Sequence, residues 1–274
     1  MTEDTQPNKT DDASTDGGTT TTGGETVPSD ATAPMGGPAT GRLARVKTVM
    51  GRVLQNRFAV FGLFVVALLL FTAAFADFIA PYDPVAQNYD ALKQPPSLDH
   101  PFGTDQYGRD VFSRVVYGTR YAVFLGIVVV GIEMALGVTL GLVAGYYGGL
   151  VESAIMRVVD IALSMPALVL ALAIAGMLGG GLFPLIIAVS LVGWRGFARL
   201  VRGDVKSVME EEYIESADAA GLSDFRTISR YVLPNAASSI IVYATLTIPT
   251  VILWSAGLSF LGMGVQPPNP EWGA

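Results

Sequence analysis

Residues 161–194 read IALSMPALVLALAIAGMLGGGLFPLIIAVSLVGW, a run of 34 residues without one charged side chain. A helix of about 20 apolar residues already crosses the ~30 Å hydrocarbon core of a bilayer, so this run is too long for one span. Three glycines at 179–181, followed by Pro184, predict a division into helices at about 154–178 and 182–199. The run therefore predicts a chain that crosses a membrane more than once.

Three more apolar segments lie on either side of this run. Residues 58–76 carry no charge, residues 121–147 carry only Glu133, and a further helix is predicted at about 236–263. The whole chain is 51% hydrophobic and 15% charged, which is typical of helical membrane proteins and not of soluble domains. We therefore predict an all-α membrane protein, a polytopic helical bundle with five spans in a lipid bilayer.

The first 41 residues differ from the rest of the chain. They hold seven acidic residues and one lysine, and so carry most of the net charge of −7. Because they are rich in Thr, Gly and Asp, they have too little apolar surface to fold, which predicts a disordered acidic tail over 1–41. We then expect a basic segment with the first span at 42–80, a loop at 81–118 and a membrane domain at 119–274 that includes a polar loop at 203–235.

The distribution of basic residues predicts the orientation of the spans. Twelve basic residues lie on the side that holds residues 42–57 and 200–234, and four lie on the opposite side. Basic residues near spans are enriched on the cytoplasmic side of membranes. We therefore expect the amino terminus and the 203–235 loop to be cytoplasmic, and the 81–118 loop to be extracytoplasmic.

Residues 215–234, ESADAAGLSDFRTISRYVLP, form a polar block between two apolar stretches. The alanines favour a helix, and Gly221 can adopt the left-handed conformation that ends one. Ser223 is a good N-cap for a second helix, and Pro234 is best tolerated in the first turn of a third. The block therefore predicts two short helices around a glycine, where a soluble partner can dock.

The spacing Glu-x-Ala-x3-Gly-x11-Leu-Pro in this block resembles the EAA loop of ABC importer permeases. In that family the loop is the cytoplasmic element that receives motion from an ATPase subunit. The resemblance implies an ATPase-coupling role for Glu215, Ala217, Gly221, Leu233 and Pro234.

Five further segments resemble the C-type permeases of dipeptide, oligopeptide and nickel importers. They are HPFGTDQYGRD (100–110), AGYYGG (144–149), MRVVDIALSMP (156–166), GWRGFARLVR (193–202) and SFLGMGVQPP (259–268). The resemblance implies the type I importer fold, with a homologous B-type permease subunit, two P-loop ATPase subunits and an extracytoplasmic solute-binding protein as partners. The resembled permeases have a sixth helix after the last segment, so we expect one further span beyond residue 274.

The sequence offers no site for covalent chemistry. It has no cysteine, no Gly-x4-Gly-Lys-Ser/Thr loop for ATP and no His-Glu-x2-His motif. His100 is the only histidine and has no neighbouring ligands at metal-binding spacing. We therefore expect no enzyme activity, no cofactor and no metal site in this chain, and no nucleic acid among its partners.

Three charged residues and one proline in the predicted spans are candidates for the transport path or its gate. Charges inside membranes usually face the bundle interior or water. Arg157 and Asp160, three residues apart on one helix face, are expected to pair, either to orient the helix or to gate it. Glu133 either lines a path for a cation or a peptide amine, or pairs with a partner subunit. Pro249 kinks its helix, and the threonines around it either compensate for the missing hydrogen bond or line a wet pathway.

A glycine repeat has a simpler interpretation. Gly137, Gly141 and Gly145 recur every four residues in the second predicted span. Such a stripe of small residues predicts close packing against another helix and not a ligand site.

Two other classes of membrane protein compete with the permease. An ion-coupled secondary transporter is built from inverted repeats with midplane charges on broken helices, and here only Glu133 would serve as its coupling carboxylate. A membrane-anchored interaction or sensor protein fits poorly with five spans and no soluble domain. The sequence therefore favours a permease subunit of an ATP-driven importer.

Overall fold

The computed structural model describes residues 55–273, so the predicted acidic tail over 1–41 lies outside the described residues. The described part consists mainly of α-helices, with one longer connection over residues 80–110. In chain order the helices are α1 (Arg57–Ala74), α2 (Ala76–Ile79), α3 (Val111–Tyr147), α4 (Gly149–Ser164), α5 (Ala167–Leu178), α6 (Leu182–Met209), α7 (Glu212–Ala219), α8 (Asp224–Thr227) and α9 (Leu233–Phe260).

Among the described residues, four helical segments are long and apolar enough to cross a membrane. They are α1, α3, α6 and the continuous rod Asp224–Phe260, which contains α8, a π-helical turn and α9. The bent pair of α4 and α5 makes a fifth if it is counted as one span. The predicted all-α membrane fold is thereby confirmed.

The third predicted helix, at 154–178, is wrong as a single element. The structure breaks it at Met165 and Pro166, and α4 and α5 meet at 91°. A residue that precedes proline is pushed out of the helical region, and Met165 is extended, with φ −92° and ψ 139°. Pro166 then starts α5, where its missing N–H costs nothing. The proline therefore ends one helix and begins another, and does not merely kink a span.

The most extensive contact between two described helices joins α3 and α6. A Cβ placed on Gly137 would lie 2.4 Å from the Cβ of Phe197, and one on Gly141 would lie 2.7 Å from the carbonyl oxygen of Ala198. The predicted close-packing stripe is therefore confirmed, because only glycine allows this approach. We call this contact the glycine seam, formed by Gly137, Gly141 and Gly145 of α3 with Phe197, Ala198, Val201 and Val205 of α6.

Two spans extend further than the sequence predicts. The helix expected at 182–199 continues to Met209, and the helix expected from 236 begins at Leu233 and is continuous with α8. Pro234 therefore does not open an isolated helix, although it lies in the first turn of α9. The π-helical turn Ile228–Val232 precedes it directly. A π-turn changes the hydrogen-bond register and so accommodates a residue that cannot donate from its backbone.

The 80–110 connection is held to the start of α3 by polar side chains. Asp110 caps α3, since its Oδ2 accepts from the backbone N–H of Ser113 at 2.7 Å. The other oxygen, Oδ1, is 3.0 Å from Nδ1 of His100, so the single histidine has a structural partner. In residues 55–273, no group of three His, Asp or Glu side chains is arranged to hold a metal ion.

Candidate coupling segment and buried carboxylate

Residues 210–232, called the coupling segment below, connect α6 to α9. After α7, the N–H of Leu222 donates to the carbonyl of Ala217 at 3.2 Å, and the N–H of Gly221 donates to that of Asp218 at 2.9 Å. This pair of bonds is the Schellman ending of a helix, and Gly221 has the left-handed φ of +73° that it requires. The two short helices predicted around Gly221 are therefore present as α7 and α8.

The second helix of the segment begins at the predicted N-cap. Ser223 has an extended backbone, and its carbonyl accepts from the N–H of Arg226 at 2.8 Å and of Thr227 at 3.0 Å. Its hydroxyl makes no capping bond. Asp224 instead accepts a hydrogen bond from the hydroxyl of Tyr146 on α3 at 3.2 Å, which ties the tip of the segment to the bundle.

A few buried side chains anchor the coupling segment, and most of the others face outward. Ile214 is 1% exposed, Thr227 and Val232 are fully buried, and Ala217 is buried beside them. Glu215 and Gly221 are exposed, and so is the ring of Phe225, at 81% of its surface. The segment is thus fixed on one face and exposed on the other.

The five residues to which the sequence assigns a coupling role occupy two places. Glu215, Ala217 and Gly221 belong to α7 and its turn, whereas Leu233 and Pro234 lie in the first turn of α9. Only Ala217 is buried among them. Their role in coupling stays a prediction, since their positions are compatible with it but do not test it.

The predicted pair of Arg157 with Asp160 is wrong. Asp160 forms its ion pair with Arg199 on α6, and Arg157 is exposed. Three further residues of α4 and α6 repeat this pattern, since Oε1 of Glu152 accepts from Nε of Arg202 at 2.7 Å and from Nζ of Lys206 at 2.9 Å. An opposite charge on a neighbouring helix outcompetes a partner three residues away when the packing presents it.

The guanidinium group of Arg195 extends this row of contacts. It donates to the carbonyl of Ala162 in the last turn of α4, where helix carbonyls lack partners. This row is absent from the sequence-based predictions, although the sequence carries a signal for it: the basic residues of α6 recur at spacings of three and four on one helix face. We call this row the α4–α6 ion pairs, comprising Glu152, Asp160, Arg199, Arg202 and Lys206.

Glu133 lies in the middle of α3 and is 1% exposed. Its Oε2 is buried without a hydrogen-bond partner in the described structure. A Cβ on Gly193 would lie 1.8 Å from its Oε1, so the carboxyl group occupies space that only a glycine leaves free. The carboxyl group borders a cavity of about 300 Å³ between α3, α6 and α9. No described ion pair or hydrogen bond joins it to Arg157 or Asp160.

Pro249 is exposed on α9, which continues through it as one helix. The nearby threonines bond other carbonyls than the one it frees: Thr245 donates to Val242 at 2.8 Å and Thr247 to Tyr243 at 2.8 Å. The prediction that these hydroxyl groups replace the hydrogen bond lost at Pro249 is therefore wrong for Thr245 and Thr247. Thr247 and Thr250 border the cavity beside Glu133, so they belong with the wet-pathway alternative.

At the end of the bundle opposite the coupling segment, Arg114 near the start of α3 joins the 80–110 connection to the segment 259–268. Arg114 donates to the carbonyls of Pro84 at 3.0 Å and Pro268 at 3.1 Å. Burial works against ionisation of Asp105, but hydrogen bonds from the backbone of Arg109 and Tyr107 and from the Arg109 guanidinium outweigh it and hold the pKa of that carboxyl group below its usual value. These contacts form a compact polar surface between distant parts of the chain.

Comparison with known proteins places these features in a family. Residues 137–274 match the binding-protein-dependent transport system inner membrane components, and residues 46–96 match the N-terminal TM domain of oligopeptide transport permease C. The chain is 40% identical over 222 residues to the dipeptide transport system permease protein DppC of Bacillus subtilis, covering 81% of this chain and 69% of that one. It is 45% identical over 226 residues to the glutathione transport system permease protein GsiD of Escherichia coli O6:H1, covering 81% and 74%.

Proposed function

Because this chain belongs to the family of binding-protein-dependent transport system inner membrane components, we propose that it is the permease subunit through which an ATP-driven importer moves peptides. Membership of the family makes the chain a multi-pass membrane permease and removes the ion-coupled secondary transporter as an alternative. A peptide cargo is supported by the dipeptide and glutathione transport permeases among its relatives. The resemblance to C-type permeases also leaves nickel open as a cargo, but neither of these two relatives carries nickel in its name.

The partners follow from the same membership. A binding-protein-dependent importer needs a solute-binding protein and an ATPase, and this chain carries no P-loop of its own. The proposed complex contains a homologous B-type permease subunit, two P-loop ATPase subunits and an extracytoplasmic solute-binding protein. The polar surface around Arg114 and Pro268 is the proposed contact for the solute-binding protein, since it lies at the far end from the coupling segment.

The observation that carries the coupling role is the division of the coupling segment into an anchored face and an exposed face. Ile214 and Val232 bury the segment against the bundle, so a push on its exposed face is transmitted to α6 and α9. Phe225 provides an exposed aromatic side chain of the kind that dominates binding energy at interfaces. Alternating access would then result when ATP-driven closure of the ATPase dimer moves the two spans.

Reconstitution tests this function directly. The full importer, purified with its permease, ATPase and solute-binding partners, is placed in proteoliposomes, and uptake of radiolabelled alanyl-alanine is measured with and without ATP. We expect uptake that requires both ATP and the solute-binding protein. A complex that hydrolyses ATP in response to its solute-binding protein, yet takes up no di- or oligopeptide, would contradict the peptide cargo.

The proposed orientation has its own test, which the chain makes simple because it has no native cysteine. Asp99 and Ser223 are both exposed, and the Ser223 hydroxyl makes no capping bond. With the 203–235 loop in the cytoplasm, Asp99→Cys should react with a membrane-impermeant maleimide in intact cells and Ser223→Cys should react only after lysis. The reverse pattern would place the coupling segment outside.

A further inference from the structure

We propose that the cavity beside Glu133 is a binding subsite for a primary ammonium group, which the amino terminus of a transported peptide supplies. The identification of the cargo rests on the proposed peptide import. The ammonium chemistry rests on the cavity itself, which none of the coupling residues borders.

The unpartnered carboxyl oxygen is the first observation. Glu133 is 1% exposed, and its Oε2 meets no donor in the described structure. A buried carboxyl group without a hydrogen bond is costly, and proteins rarely keep one without a ligand, ion or water to complete it. Glu133 forms part of the wall of the cavity, so a donor that enters this space comes next to its carboxyl group.

The space for this carboxyl group is built into the neighbouring helix. Gly193 of α6 faces Glu133 so closely that an added Cβ would lie 1.8 Å from Oε1 and 2.1 Å from the carboxyl carbon. Gly196, one turn further along, makes room in the same way for the hydroxyl group of Tyr243, at 2.1 Å. Two glycines of α6 thus hold one acidic and one aromatic side chain at a single cavity.

The other walls of the cavity suit a cation. The side chains of Tyr243 and Trp254 border it together with Glu133, and aromatic faces attract ammonium groups. Thr247 and Thr250 add hydroxyl oxygens that accept hydrogen bonds. A carboxyl group, two aromatic rings and two hydroxyl groups together match the three N–H donors of a primary ammonium ion.

The one basic residue at the cavity is already engaged. Arg195 borders the same space, but its guanidinium group donates to the carbonyl of Ala162 and forms no described ion pair with Glu133. Arg195 therefore does not neutralise the carboxyl group. The volume of about 300 Å³ is at the lower limit for small-molecule sites, which suits the end of a peptide and not a whole one.

Chemical protection tests the subsite without relying on transport. The complete importer in lipid nanodiscs is treated with diisopropylcarbodiimide, which modifies carboxyl groups, and the adduct on Glu133 is quantified by mass spectrometry. We expect alanyl-alanine to slow this modification at least fivefold and N-acetyl-alanyl-alanine, which lacks the ammonium group, to leave it unchanged. Glu133→Gln identifies the adduct by its loss.

Three results would overturn the proposal. They are equal modification with and without alanyl-alanine, equal protection by the acetylated peptide, and a wild-type chain in which Glu133 never reacts. In the last case a cavity closed to a small carbodiimide is also closed to a peptide terminus. The reconstitution above measures peptide import separately, so uptake of alanyl-alanine without protection of Glu133 would overturn the subsite alone, whereas absence of uptake would overturn the proposed function.

Variants on α6 add a transport readout with a matched control. Gly193→Ala displaces the Glu133 carboxyl group, whereas Gly203→Ala lies on the same helix with nothing within 4 Å of the new methyl group. We expect Glu133→Gln and Gly193→Ala each to lower maximal alanyl-alanine uptake about tenfold, and Gly203→Ala to retain wild-type uptake. ATP hydrolysis stimulated by the solute-binding protein should persist in Glu133→Gln. Wild-type uptake by Glu133→Gln would remove the subsite from the path.

Discussion

The glycine seam and the coupling segment both depend on glycine, but for opposite physical reasons. At Gly141 an added Cβ would lie 2.7 Å from the carbonyl oxygen of Ala198, while the backbone is ordinary helix. At Gly221 there is nothing within 4 Å of an added Cβ, but φ is +73°. The first glycine is required for space and the second for backbone conformation. The seam is therefore a tightly packed contact between two spans, whereas the turn at Gly221 is exposed and depends on its backbone conformation.

This contrast predicts which substitutions destabilise the folded complex and which lower only its transport activity. A larger residue in the seam should destabilise the packing of α3 against α6. The same residue in the turn at Gly221 should be tolerated if it can adopt a left-handed backbone conformation. A residue that resists the left-handed conformation should have its effect only in the turn.

Gly141→Val should have the largest effect, because its side chain would overlap Ala198 and Val201 in the seam. Overpacking typically costs about 1–3 kcal/mol, and here the backbone of two spans must separate. We expect loss of a monodisperse complex on size-exclusion chromatography and loss of uptake.

Gly131 provides the matched control on the same helix, since nothing lies within 4 Å of a Cβ added to it. Gly131→Val should give a monodisperse complex with uptake close to wild type. Equal damage from both substitutions would mean that valine harms α3 wherever it is placed, and that the seam has no special role.

Gly221→Val should come second. A β-branched residue in the left-handed region is strained, by about 1–3 kcal/mol, so the turn after α7 should lose its Schellman ending. We expect uptake to fall at least tenfold while the complex remains monodisperse and keeps its thermal stability. Gly221→Asn is the control, since asparagine tolerates this conformation, and it should restore most of the uptake. Full activity in Gly221→Val would remove the residue from coupling.

The sequence was sufficient for the parts of the structure that depend on local chemistry. The glycine seam follows from a repeat of four, and the turn at Gly221 follows from a glycine after a short alanine-rich helix. The sequence around Pro166 does not predict the break, because an uncharged run has no polar face to show where a helix changes direction. A spacing of three, which predicts a pair of Asp160 with Arg157, is visible in a sequence, whereas the approach of Arg199 to Asp160 depends on how α6 packs.

The surroundings of Glu133 also could not be predicted from the sequence, because they depend on residues far apart along the chain. Glu133 was singled out as a charge within a span, which sequence reveals. Its neighbour Gly193 lies 60 positions further along the chain, where the sequence shows it only as part of the GWRGFARLVR segment. Nothing in either segment predicts that one makes room for the other, because that contact results from the register of α3 against α6.

Phe225→Ala should come third and should leave the seam untouched. The ring is 81% exposed, so its removal takes little buried surface from this chain. Truncation of an aromatic residue at the centre of an interface commonly costs more than about 1 kcal/mol, or roughly fivefold in affinity. We expect about fivefold weaker binding of the ATPase subunits, measured by titration on nanodiscs, with unchanged melting of the permease. Phe225→Leu should retain most of the affinity. Unchanged binding in the alanine variant would place the ATPase contact elsewhere on the segment.

Glu152→Gln should have the smallest effect. Its carboxylate accepts from Arg202 and Lys206 and so fastens the start of α4 to α6, but the two basic side chains are 36% and 43% exposed. Ion pairs that solvent reaches contribute about 0–1 kcal/mol each, and glutamine keeps one acceptor oxygen. We expect uptake to fall about twofold and hydrogen exchange in α4 to quicken, with the seam unaffected. Asp99→Asn, an exposed neutralisation in the 80–110 connection, serves as the control for loss of one negative charge. A tenfold loss of uptake in Glu152→Gln, without loss in the control, would show that the α4–α6 ion pairs change during the transport cycle. The rigid part of the molecule would then include the glycine seam but not α4.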